Sequence, residues 1–254
     1  MKYRIFVLLI PIFLLYGCYE GGFSSDNEMS STQSGSYAIM LTISDFLYVV
    51  NKTQITTFDV KDPQNPIEVD KQEVGFEIES LYHYNGLLLI GSAENMYIYR
   101  IGPDGIPLRE SSTTYAESFG GNICMNDPIV ARDGLAYVTL SANPTCFRMG
   151  FNELRVYDIK NIKSPKLRNT INMASPRGLG LGKNHLFVCD RFDGLVVFNL
   201  DDPTFPVKVA DFSGFEGFDL IVRGDLLIVV AKDRLLQYDI TDETNIKYLG
   251  AVNF

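Results

Sequence analysis

The sequence predicts an all-β fold, most simply a β-propeller of five blades with four antiparallel strands each, and three observations carry that expectation. One outline returns five times: an apolar strand, a polar break, a second strand ending in an aromatic residue, and a turn that is usually proline-rich. LFVCDRFDGLVVFNLDDPTFPVKV, residues 186–209, shows it whole. The aromatic position falls at Phe58, Tyr99, Tyr157, Phe198 and Tyr238, with separations of 41, 58, 41 and 40 residues. No segment shows helical periodicity, and about 40 residues is the length of one four-stranded blade.

The chain begins outside this pattern. Lys2 and Arg4 precede IFVLLIPIFLL, an apolar run of 11 residues, too short to span a bilayer and suited to a secretory signal. Leu15 to Cys18, LYGC, resembles a bacterial lipobox, with Tyr16 bulkier than the usual residue there. The resemblance implies cleavage after residue 17 and lipidation of Cys18, hence anchoring by acyl chains without a spanning helix. Residues 18–35 are rich in Ser and Gly and read as a flexible tether. Residues 36–254 are left for the five repeats.

In the repeats the first strand aligns as FLYVVN, LLLIGS, LAYVTL, HLFVCD and LLIVVA, with a common position at Val49, Ile90, Val138, Val188 and Val229. Turn pairs precede it: Ser44-Asp45, Asn85-Gly86, Asp133-Gly134, Lys183-Asn184 and Gly224-Asp225. Asn-Gly and Asp-Gly are hairpin signals because these residues tolerate positive φ. DPQNP, GPDGIP, NIKSP, DDPTFP and TDETN follow the aromatic strand, and in four of them proline stops it. A run such as LLIVV has no polar face, as a strand between two packed sheets requires, and one unit could not bury both its faces alone. The aromatics are therefore expected to pack blade on blade.

GLVVFNLDDPTFPVKV and TQITTFDVKDPQNPIEV resemble the LVIVD repeat, a propeller-forming module of bacterial secreted and surface proteins. The resemblance extends over all five units. Unit two departs with Arg100 in place of Asp, and unit five lacks the prolines. It implies the fold and an extracytoplasmic setting, in the cell envelope on the periplasmic or outer-membrane side, and no defined activity.

Breaks in the repeat mark where function can be added. From the common position to the aromatic the units take 9, 9, 19, 10 and 9 residues, so the loop of unit three within SANPTCFRMGFNE is long. From each aromatic to the next common position the counts are 32, 39, 31 and 31, which places a second insertion in TTYAESFGGNICMND. With strands a to d running from the inside of a blade outward, the b–c and d–a loops share one face. Both insertions fall there, each with one cysteine, and a Cys124–Cys146 disulfide is expected. The same face carries the candidate ligand-binding residues Glu77, Arg177, Asp190, Arg191, Glu216, Phe218 and Lys232.

Composition restricts the rest. Hydrophobic residues at 46% are ample for a core, and a net charge of −9 argues against a nucleic-acid partner. Removing residues 1–17 takes Lys2 and Arg4 and leaves 20 basic against 31 acidic residues, net −11. The two histidines, His83 and His185, pair with no nucleophile at a recognisable spacing, and there is no GxSxG elbow or phosphate-binding loop. No catalytic residue, metal ligand or cofactor is assigned. The reading is a lipid-anchored binding or scaffolding module for an envelope protein or a polar ligand. A hydrolase-like propeller enzyme and a structural subunit of an envelope complex are the alternatives.

Overall fold

The computed structural model describes residues 39–115, 125–126, 128–142 and 151–254. Cys18 with its signal and tether, and the cysteines of the expected Cys124–Cys146 bond, lie outside the described residues. Blade one is β1 (Met40–Ile43), β2 (Phe46–Val50), β3 (Gln54–Asp59) and β4 (Ile67–Glu73). Blade two is β5 (Ile78–Tyr84), β6 (Leu87–Ser92), β7 (Asn95–Ile101) and β8 (Pro107–Thr114). Blade three has the two-residue β9 (Met125–Asn126), then β10 (Ile129–Arg132), β11 (Leu135–Ala142), β12 (Glu153–Asp158) and β13 (Lys166–Asn172). Blade four is β14 (Pro176–Leu181), β15 (His185–Asp190), β16 (Gly194–Asn199) and β17 (Val207–Phe212). Blade five is β18 (Gly217–Arg223), β19 (Leu226–Ala231), β20 (Arg234–Asp239) and β21 (Lys247–Asn253). Every blade is an antiparallel meander in chain order, with β9 added to β11 in blade three.

The repeated residues build repeated local structure. The a–b turns carry the left-handed residues that the turn pairs foretell: Ser44, Asn85, Gly86, Asp133, Gly134 and Gly224. In the c–d turn one carboxylate or amide caps the chain two residues on. Asp62 accepts from the Gln64 N–H, Asn161 from Lys163, Asp202 from Thr204 and Asp242 from Thr244. The Asp or Asn after the aromatic does the same one step earlier, at Asp59, Asp158, Asn199 and Asp239. Arg100 has no acceptor to offer there, so blade two lacks that cap. Every blade also has a register shift between strands c and d immediately before its aromatic, a bulge that bends the strand and re-aims the ring.

Four apolar clusters join blade one to two, two to three, three to four and four to five. Every residue of β6 and of β15 is buried, as expected for strands covered on both sides. In β2 and β19 buried and half-buried positions alternate, so blades one and five are each less fully covered on one face. This explains the one aromatic that departs from the packing rule. Tyr99, Tyr157, Phe198 and Tyr238 are 1–4% exposed, whereas Phe58, on the face that blade one would turn to a preceding blade, is only half-buried. Among the described residues, no apolar cluster joins blade five to blade one.

Candidate functional site

The b–c and d–a loops do lie on one face. The Arg191 N–H donates to the Ser175 carbonyl at 2.9 Å, Ala93 N–H to Glu77 at 3.0 Å, and Ile78 N–H to Lys52 at 2.9 Å, each bond tying a b–c loop to the neighbouring d–a connection. At the joint of blades four and five this face gathers six of the seven residues singled out from the sequence.

Glu216, on the connection into blade five, is the hub. Its Oε2 accepts from Arg191 Nε at 3.2 Å, and its Oε1 lies 3.5 Å from Lys232 Nζ. Partial burial pushes the Glu216 carboxyl up, but the Arg191 hydrogen bond and the nearby Lys232 charge outweigh it and hold the group below its usual range. The Arg191 guanidinium also lies 5.6 Å from the ring centroid of Phe192, a phenylalanine 67% exposed at the tip of the loop. Arg177, from strand β14, sits 6.0 Å from the Phe218 ring of β18. The result is an exposed aromatic beside two cations that share one carboxylate, with a second cation–aromatic pair deeper in the joint. Close approach of the two blades is a condition of this geometry: a Cβ on Gly217 would stand 2.6 Å from the Gly194 carbonyl oxygen.

Asp190 takes another part. It is fully buried, and its Oδ2 accepts from the Ser175 N–H at 2.8 Å while Oδ1 accepts from Phe192 and Asp193 at 2.9 and 3.2 Å. It fixes the loop that displays Arg191 and Phe192. The repeat held a signal for this, since the residue two after the common hydrophobic position is Asn51 in unit one and Ser92 in unit two. Both cap the same loop. Glu77 sits on the connection from blade one to blade two, in a left-handed conformation with φ 52°, away from the four–five joint.

The opposite face holds a feature that the sequence reading did not reach. The carboxylate of Glu243, in the c–d turn of blade five, enters the a–b turn of blade four. Oε1 accepts from the Lys183 N–H at 2.5 Å, and Oε2 from the Asn184 N–H at 2.8 Å and from His185 Nδ1 at 2.9 Å. Both side chains of the His185–Glu243 pair are about 5% exposed. Burial drives the Glu243 carboxyl up, and the Asn184, His185 and Lys183 bonds reverse the shift to below the ordinary value. Lys183-Asn184 is the one predicted turn pair without a left-handed residue, and Glu243 supplies the support it lacks. The sequence clue is small: the turn position occupied by Pro63, Pro103, Ile162 and Pro203 in the other units becomes Glu243 here. On the same side, a shallow cleft of about 240 Å³ between blades three and four is lined by Arg132, Lys183 and Tyr137. Its cations are engaged, Arg132 with the Gly182 carbonyl and Lys183 with Asp225.

Among the described residues no three His, Cys, Asp or Glu side chains gather as a metal site, and no helix is long and apolar enough to cross a membrane. Cys189 is buried, and burial raises its thiol well above the ordinary value. His83 accepts from the Gly86 N–H at 3.2 Å in an a–b turn.

The geometry defines a β-propeller protein. Comparison with solved structures agrees. The periplasmic gluconolactonase of Pseudomonas aeruginosa matches with a TM-score of 0.64 at 12% identity over 83% of this chain and 69% of its own. A chain of the Mitotic Checkpoint Complex matches with a TM-score of 0.61 at 12% identity, over 83% and 64% of the two chains. A luciferin-regenerating enzyme gives 0.56 at 13%, over 83% and 73%. Identities this low express a shared fold alone. No family model matches the chain, and no curated protein does.

Proposed function

We propose that this chain is an extracytoplasmic binding module of the LVIVD-repeat kind, anchored through a lipid on Cys18, that takes a polar ligand or an envelope protein on the b–c/d–a face at blades four and five. The observation that carries the reading is the Arg191–Glu216–Lys232 network beside the exposed Phe192. Its charges are held in place before a ligand arrives, and its aromatic ring is accessible. Amphipathic contact of this sort suits recognition, in which a few charged and aromatic residues supply most of the affinity. An LYGC sequence ahead of a Ser/Gly-rich stretch supports the anchor, and the proposed Cys124–Cys146 bond would brace the long loops of blade three on the same face.

Two experiments test these parts separately. Cys18→Ser should release the protein from the membrane fraction with its fold intact, and continued sedimentation with membranes would refute the anchor. Thermal shift of the full chain against sugar acids and acidic peptides should show stabilisation by one class, lost in Arg191→Ala/Lys232→Ala. A shift unchanged in that variant would move the site elsewhere. A second reading is a hydrolase-like propeller enzyme, and hydrolysis of a gluconolactone, the kind of substrate named for one protein of the same fold, is a first direct test of it.

A further inference from the structure

The loops that present Arg191 and Lys232 are held by bonds other than those to Glu216. Asp190 fixes the Arg191 loop by accepting from Ser175, Phe192 and Asp193 at 2.8, 2.9 and 3.2 Å, and the Arg191 N–H bonds the Ser175 carbonyl at 2.9 Å. The Arg191 guanidinium also rests 5.6 Å from the Phe192 ring. Lys232 lies between the paired strands β19 and β20. The contacts to Glu216 are long, 3.2 and 3.5 Å, and the side chains of Glu216, Arg191 and Lys232 are 33%, 40% and 67% exposed. Ion pairs exposed to this degree contribute little to stability. A second copy of the same turn shows what the arrangement requires. Gly75-Phe76-Glu77 on the connection into blade two matches Gly214-Phe215-Glu216 on the connection into blade five. Each glutamate directly precedes the first paired residue of its strand a, Ile78 or Gly217. Lys52 stands where Arg191 does, three residues after the common hydrophobic position, but Ala93 stands where Lys232 does. With one cation in place of two, Glu77 enters no ion pair among the described residues. The two cations, more than the carboxylate between them, set the joint of blades four and five apart.

We propose that Arg191 and Lys232 form an anion site that Glu216 occupies in the free protein, and that a carboxylate of the ligand takes the place of Glu216 on binding. The inference rests on the binding face proposed above and names the chemistry of its ligand: a carboxylate carried beside an apolar or aromatic group. The two donors, from loops of different blades, meet the two oxygens of one carboxyl group, so they define where a ligand's carboxylate would sit. Phe192, 67% exposed next to Arg191, supplies the adjoining apolar surface. Two sources fit this chemistry: the end of a peptide chain after an aromatic residue, and a uronic sugar, whose ring has an apolar face. Glu216 then sets specificity as well as affinity. An uncharged ligand has nothing with which to replace it on the cations, whereas an anion does. The internal carboxylate also lowers the apparent affinity by the fraction of time it holds the two cations. Two exposed pairs of ordinary strength correspond to a factor of about two to thirty in that affinity.

The test is an NMR titration of the isotope-labelled full chain, read at the Arg191 side chain and the Phe192 amide. The probes are N-acetyl-phenylalanine, glucuronate and, as the uncharged control, N-acetyl-phenylalanine amide. At least one of the two carboxylates should shift both signals, and the one that does identifies the source. The amide should shift neither. Glu216→Gln should bind the same carboxylate about two- to thirtyfold tighter. Glu216→Asp keeps the charge but draws it back by one methylene, and it should also bind tighter than wild type. Adding Arg191→Ala to Glu216→Gln should abolish the Phe192 shift. Circular dichroism equal to wild type checks that each variant folds. Binding of a carboxylate at Arg191 with no gain in Glu216→Gln overturns the self-occupied site and leaves the binding face standing. A gain in Glu216→Gln with none in Glu216→Asp reflects net charge alone and overturns it too. Equal binding of the amide overturns the ligand class. Failure of wild type and Glu216→Gln alike to bind either carboxylate overturns the whole proposal, while the thermal shift of the Arg191→Ala/Lys232→Ala variant decides separately whether the face binds at all.

Discussion

Replacing Glu243 with alanine probes how blade five is held to blade four. The carboxylate accepts three hydrogen bonds from the blade-four turn, at 2.5, 2.8 and 2.9 Å. Hydrogen bonds to a charged group contribute about 1.5–3 kcal/mol each, though not additively. Truncation leaves two backbone N–H groups and a buried imidazole without their acceptor, and removal of one partner from a buried pair costs about 3–5 kcal/mol. We therefore expect Glu243→Ala to lose about 3–5 kcal/mol in urea unfolding followed by circular dichroism. Hydrogen exchange should show β18 to β21 opening before the other blades. The effect has a pH signature. Glu243 titrates below its unfolded value of about 4.3. Its contribution is then complete above that value and is lost as pH falls through the folded-state pKa. The gap between wild type and variant should hold from neutral pH to about 5 and narrow below about 4. A loss under about 1 kcal/mol at neutral pH, within the usual range for a surface change, would refute the reasoning.

Three further outcomes follow from the same geometry. Gly182→Ala would set a Cβ 2.1 Å from Glu243 Oε1 and 2.8 Å from the Phe187 ring, so it should cost about 1–3 kcal/mol by thermal or urea unfolding, and much less in a Glu243→Ala background. Asp190→Ala should destabilise by about 2–4 kcal/mol, because three backbone N–H groups lose a buried acceptor, and should raise hydrogen exchange at Phe192 and Asp193. Phe198→Ala should cost about 3–5 kcal/mol and Phe58→Ala well under half as much by urea unfolding, since Phe198 is 2% exposed and Phe58 only half-buried.

How much of this was legible in the sequence differs by level. Strand order and blade count could be read because each blade repeats its turn chemistry: Asn85-Gly86 and Asp133-Gly134 mark a–b turns, and Asp62 and Asp202 mark c–d turns. Arg177, Arg191, Glu216, Phe218 and Lys232 could be placed on one face, since loop order alone sends them there, but their meeting at the joint of blades four and five shows only in the structure. That Asp190 is consumed by its own loop was not seen, although Asn51 and Ser92 at the equivalent positions hint at it. The bulge before every aromatic was invisible, because strand pairing is a property of two segments and no single segment encodes it. The Glu243 tie spans 58 residues to His185 and depends on one substitution within a turn motif, so only the packing of two blades reveals it. The half-buried faces of blades one and five were equally hidden, because LLIVVA reads as doubly buried while β19 alternates between buried and half-buried positions.

The most direct test of the binding reading compares two exposed phenylalanines of blade four. Phe192 is 67% exposed on the b–c loop, and Phe205 is 55% exposed in the c–d turn on the opposite face. A photoreactive phenylalanine analogue is placed at one position or the other in the full chain, and cells expressing it are irradiated. A discrete adduct is expected at position 192 that disappears when Arg191→Ala and Lys232→Ala are added, with no such adduct at 205. Equal labelling at both positions, or a 192 adduct indifferent to loss of the two cations, would contradict it.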